Sequence, residues 1–249
     1  MTGEILLPVI ATLFAATAVR ASLGFGEALI AVPMLALLIP VNQAAPIAVL
    51  VSITIAFIVL LLDWRSVHFG SVGLLIVSTL FGIPLGLWLL TAVSESIVKG
   101  ILAAIILAFS LHAILSKGRY RLNDDRLAWL FGFQAGILGG AYGMNGPPLA
   151  VYGSLRGWRP EQFRATLQAY FLPASMVGMA GYYFAGLWTP EVNHYYLTSL
   201  PAVLLGTLGG RIIGHRIRAD RFHLYVYGGL IAIGLILLVQ SLRMAWPSL

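Results

Sequence analysis

The chain has 249 residues, of which 59% are apolar and 10% charged; its formal net charge is +6 and it contains no cysteine. Water-soluble domains run at roughly 45–50% apolar and about 25% charged residues, so this composition excludes an ordinary soluble fold. The missing thiols exclude cysteine chemistry, and the basic residues form no aromatic-interleaved stripe of the kind that binds nucleic acid.

Ten apolar segments follow one another, at 5–23, 27–39, 44–62, 70–92, 97–115, 127–142, 147–155, 165–185, 195–214 and 224–242. Each spanning helix needs roughly 20 apolar residues, so these segments leave no room for a separate soluble domain. Helix is the expected conformation, because the bilayer interior has no water to satisfy exposed backbone groups, and the alternation of a membrane β-barrel is absent. The opening Met1-Thr2-Gly3-Glu4 lacks the basic stretch of a secretory signal, so the first segment is read as part of the mature protein.

Segments 27–39 and 147–155 are too short to span. The first follows Gly24-Phe25-Gly26 and holds Pro33; the second follows Gly143-Met144-Asn145-Gly146 and begins Pro147-Pro148. Glycine permits positive φ and sharp turns, and proline suits a helix's first turn. Each glycine-rich break is therefore expected at the tip of a re-entrant hairpin of broken helices.

The halves correspond at a near-constant spacing. Gly24 matches Gly143 and Gln43 matches Gln162, 119 residues apart; Trp64 with Trp188, Gly82 with Gly206 and Gly86 with Gly210 lie 124 apart. Five segments per half is an odd number, so the copies would be inverted. The expected fold is an all-α integral membrane protein of two inverted repeats. Residues 1–116 form the N-terminal repeat, 117–126 a basic cytoplasmic linker and 127–249 the C-terminal repeat. The loops after segments three, five, seven and nine, together with Arg211 at the end of segment nine, hold 12 of the 15 Lys and Arg residues. Positive-inside bias places these loops in the cytoplasm and both termini outside the plasma (cell inner) membrane. Trp64, Trp88, Trp188 and Trp246, near segment ends, are read as interfacial anchors.

Arg20 sits inside the first apolar segment, where an isolated arginine costs at least about 2.5–3.5 kcal/mol. It is read either as a ligand for an anion or as one half of an ion pair with Glu27, the acid that begins the short segment. Glu27 could alternatively carry a coupling proton, or simply favour a helix N-terminus. Gly24 and Gly26 at one break, and Asn145 and Gly146 at the other, precede short helices whose free N–H groups attract anions. Gln134, Gln168, Tyr170 and His112 are polar groups in apolar segments, able either to face a cavity or to bond a neighbouring helix. The candidate site is Arg20, Gly24, Gly26, Glu27, Asn145, Gly146, Gln134 and Gln168. No catalytic group, metal site or cofactor is expected, since no HExxH or nucleophile–base pattern occurs and the histidines have no metal-ligand spacing.

The stretch from Arg20 to Pro33, RASLGFGEALIAVP, resembles the glycine-rich first signature of the TauE/SafE sulfite exporter family. The stretch from Gly136 to Leu149, GILGGAYGMNGPPL, resembles its second-half copy. The resemblance covers the whole chain, and Glu27 departs from the all-glycine form of the first signature. It implies a transporter of a small sulfur-containing or organic anion, such as sulfite or a sulfonate, acting as an exporter. The partners expected are that anion and the lipid bilayer, with a coupling proton or ion and a second copy of the chain as further candidates. The competing classes are a channel, which would need a continuous polar lining, and a membrane-embedded enzyme.

Overall fold

A computed structural model describes residues 2–63, 69–115, 122, 124–214 and 219–245. Among the described residues there are ten helices and no strand: α1 (Thr2–Leu23), α2 (Glu27–Leu35), α3 (Val41–Asp63), α4 (Phe69–Ala92), α5 (Glu95–Leu115), α6 (Ala128–Tyr142), α7 (Gly146–Leu155), α8 (Pro160–Phe184), α9 (Pro190–Gly214) and α10 (Ala219–Ala245). Four contain stretches long and apolar enough to cross a membrane: Ile5–Ser22, Val41–Leu61, Val72–Ala92 and Glu95–His112. Trp64, Arg65, His68, most of the 117–126 linker, His215, Arg216, Arg218 and Trp246 lie outside the described residues.

The apolar segments become helices, with shifted starts. α8 begins at Pro160 rather than 165, because hydropathy passes over the polar first turn Glu161-Gln162 that proline initiates. α9 and α10 likewise begin five residues early, at Pro190 and Ala219, through polar turns that an apolar count misses.

Both breaks form by one backbone device. Gly24 and Gly143 take positive φ, 87° and 66°, a region where a side chain is strained. Their N–H groups close the preceding helices, Gly24 onto the Arg20 carbonyl at 2.6 Å and Gly143 onto the Gly139 carbonyl at 2.9 Å. Gly26, at φ 98°, then starts α2. α2 stops at Leu35, and Pro40 begins the next turn by accepting the N–H groups of Gln43 and Ala44 at 3.0 Å. Both breaks are buried in protein, with Phe25 and Asn145 at 7% and 6% exposure. Burial is the condition under which non-helical backbone is tolerated at membrane depth.

The most extensive helix pairings are α4 with α6, α1 with α9, α5 with α10 and α3 with α8. Small residues set the first two. A side chain at Gly82 or Gly86 of α4 would run into the Phe133 and Ile137 carbonyls of α6. One at Gly206 or Gly210 of α9 would meet the Phe14 and Ala18 carbonyls of α1. Helices that lack a hydrophobic drive between them associate through such close backbone approach. In the third pairing Ser96 and Ser241 each donate to the other's carbonyl at 2.8 Å. α2 and α3 form the interior, with Leu29, Val32, Leu35, Ile47, Val51 and Ile55 almost fully buried.

Candidate functional site

Arg20 occupies the last turn of α1 and is 2% exposed. The Gly24 turn folds the chain back so that Glu27, first residue of α2 and also 2% exposed, meets it. The guanidinium Nη1 donates to Glu27 Oε2 at 2.5 Å and to Ser52 Oγ of α3 at 2.8 Å; Nη2 donates to Gln168 Oε1 of α8 at 2.6 Å. The Phe171 ring, three residues on and thus on the same face of α8, lies 4.9 Å from the guanidinium carbon, a cation–π distance. Gln168 fastens α8 to the first break by donating its amide to the Gly24 carbonyl at 2.8 Å. Ser175 extends this network, bonding Ser52 at 3.4 Å.

Burying two charges costs several kcal/mol per ion, repaid only where geometry and further hydrogen bonds are good. Arg20 has both, yet its Nε and the Glu27 Oε1 find no hydrogen-bond partner among the described residues. A cavity of about 20 Å³ opens beside them, lined by Arg20, Gly26, Glu27 and Ser52 together with Asn145 and Gly146. The two breaks therefore share one space, roomy enough for about one water molecule.

The second break contributes differently. Asn145 lies over Gly139, where a Cβ would come within 3.2 Å of its amide nitrogen. Nearby on α8, the Tyr170 hydroxyl is bonded to Thr79 of α4 at 2.5 Å. Pro147 and Pro148 lack N–H groups, so among the first three positions of α7 only Gly146 has a backbone donor. In α2 Glu27, Ala28 and Leu29 all carry one, and the ladder begins with Ile30 N–H onto the Gly26 carbonyl at 3.1 Å. The two starts are thus unequal as anion donors, a difference that the glycine pattern alone conceals.

Seven of the eight sequence candidates converge here: Arg20, Gly26, Glu27, Asn145 and Gly146 line the cavity, and Gly24 and Gln168 brace it. Gln134 stands apart, exposed on α6 and outside the lining, as His112 is on α5. Ser52, Met144 and Phe171 are additions. Ser52 is one of two hydroxyl residues, with Thr54, in an otherwise apolar run of α3, and Phe171 is marked only by its spacing from Gln168. Half-buried Arg164, one turn before Gln168, stacks its stem against Gly24.

Among the described residues, an all-helical, apolar chain with two broken helices sharing a cavity has an architecture met in membrane transporters. The chain belongs to the sulfite exporter TauE/SafE family, whose profile matches residues 9–237. It is 27% identical over 257 aligned positions, covering 99% of both chains, to a protein of Cupriavidus necator described as a probable sulfite/organosulfonate exporter TauE. No solved structure matches it.

Proposed function

We propose that this chain is a secondary carrier that exports a small sulfite- or sulfonate-like anion, bound between the two breaks. The observation that carries the reading is the cavity shared by both helix starts, with Arg20 and Asn145 both in its wall. A guanidinium fork suits an oxyanion, and three backbone N–H groups at the start of α2 add donors. Arg20, Gly26, Glu27, Asn145 and Gly146 would contact the anion, with Gly24 and Gln168 holding the first break in place. The substrate class is supported by the family and by the description of the Cupriavidus necator relative.

Alternating exposure would come from movement between two inverted repeats, 1–116 and 127–249, joined by the 117–126 linker. What favours this is the way the contacts repeat. Gly82 abuts Phe133 while Gly206 abuts Phe14, and Gly86 abuts Ile137 while Gly210 abuts Ala18. The first residues differ by 124 and their partners by 119, the two spacings read between the halves. Gly24 likewise touches Arg164 and Gln168, while Gly143 touches Ala45 and Val49, again 119 apart. The concentration of Lys and Arg in alternate loops favours termini outside the cell inner membrane.

Flux of labelled sulfite, sulfoacetate and acetate in proteoliposomes tests the reading. A carrier gives saturable uptake of the sulfur anions with countertransport; linear flux at channel rates, or turnover without movement, rejects it.

A further inference from the structure

We infer that Glu27 is a built-in competitor for the substrate, so that the anion binds Arg20 only as Glu27 takes up a proton. This rests on the site proposed above and adds a coupling step to it.

Among the described residues, Arg20 and Glu27 are the two charged groups lining the cavity. The other elements around Glu27 bring uncharged groups, Ser52 from α3, Met144 and Asn145 from the α6–α7 turn, and Gln168 and Phe171 from α8; α8 also carries half-buried Arg164, a second cation whose stem abuts Gly24 and which does not line the cavity. α5 also packs on α2, but its Glu95 and Lys99 pair with each other at 3.2 Å and do not line the cavity. α10 packs there too and, among the described residues, adds no charged side chain to the lining. The guanidinium thus has one counter-charge, and the Glu27 carboxylate stands where an anion's oxygen would be.

Space makes the competition strict. About 20 Å³ is room for one water, whereas a sulfonate group brings a sulfur and three oxygens. Nη1 is already committed to Glu27 and Ser52, so an anion that takes this arm of the guanidinium must first displace the carboxylate. An ionised carboxylate displaced beside the incoming anion would be a second buried negative charge facing one cation, which the low-dielectric interior opposes. A proton from solvent removes that conflict. Oε1, which lacks a hydrogen-bond donor in the closed pair, is free to receive it. The neutral acid then turns from competitor to donor, its O–H available to an anion oxygen. No covalent bond breaks; one proton and one anion enter together, so a singly charged sulfonate crosses without net charge.

The second break has no equivalent device, since Gly139 and Gly146 stand 119 residues beyond Arg20 and Glu27. One proton per anion is therefore expected.

The test uses the purified full chain in weakly buffered detergent solution and methanesulfonate, whose charge does not change over the accessible pH range. Wild type should take up close to one proton per methanesulfonate bound, and above the Glu27 titration its Kd should rise about tenfold per pH unit. Glu27→Gln should bind without proton uptake, with a Kd flat across pH, and the anion should raise its melting temperature more than that of wild type, because it restores the missing counter-charge. Saturable wild-type binding with no proton uptake overturns the exchange while leaving the site standing, and this readout holds even if Glu27→Gln does not fold. Unchanged affinity when Arg20→Gln is added to Glu27→Gln overturns the site itself, and the exchange with it. A wild-type chain that binds no methanesulfonate does the same.

Discussion

The two breaks share a backbone and differ in chemistry. At each, a helix ends on a positive-φ glycine, the chain turns within a few residues, and a short buried helix begins. The first carries a buried arginine and glutamate; the second has glycine at both corresponding positions and an asparagine between them. Backbone conformation is thus the shared scaffold, and charge is an addition confined to one side. A centre built this way holds a single guanidinium, which suits one anion rather than two.

Substitutions can break or sharpen this comparison. The largest effect is expected at the first break, where Arg20→Gln strands Glu27 in the interior and should lower stability by about 3–5 kcal/mol. Adding Glu27→Gln should recover most of that loss in denaturation measured in detergent. The next largest tests the correspondence of the halves. Gly82→Ala and Gly206→Ala each force a methyl onto facing backbone, at Phe133 and Phe14, and each should cost about 1–3 kcal/mol. A large cost at one with none at the other would argue against equivalent packing.

Smaller effects separate strain from crowding. Gly26→Ala meets no atom within 4 Å but keeps φ at 98°, so it should cost about 1–2 kcal/mol from backbone conformation alone. Gly143→Ala adds a 2.8 Å approach to Val49 and should exceed it. The smallest change in stability is expected at Gly146. Its nearest neighbours, Phe25 and Phe171, are 3.7 and 3.9 Å from a new methyl, so Gly146→Ala should alter stability by no more than about 0.5 kcal/mol. That methyl would nevertheless enter the cavity and should raise KM for sulfonate flux.

Much of the scaffold was legible in the sequence, because short apolar runs behind glycine and before proline admit few conformations. The break positions, the short helices and the Arg20–Glu27 pair follow from that local chemistry. Which face a polar residue presents does not. Gln134 and Gln168 look alike as amides in apolar helices, yet one is exposed and the other 1% exposed beneath Arg20. A helix that is apolar all round carries no stripe to mark its inner side. Ser52 and Phe171 were hidden for a related reason. They reach the site through the packing of α3 against α8 and against α2, contacts between residues far apart in the chain. The starts of α8, α9 and α10 were missed because apolar runs report membrane burial, whereas a helix can continue through polar turns beyond it.

The central claim is that the transported anion sits between the breaks against Arg20. An experimental structure determined with saturating sulfonate tests it most directly. The account predicts the sulfonate group between Gly26 and Asn145, its oxygens on the Arg20 guanidinium and the Glu27 carboxyl displaced from that contact. A sulfonate bound elsewhere, with the Arg20–Glu27 pair still closed, would contradict it.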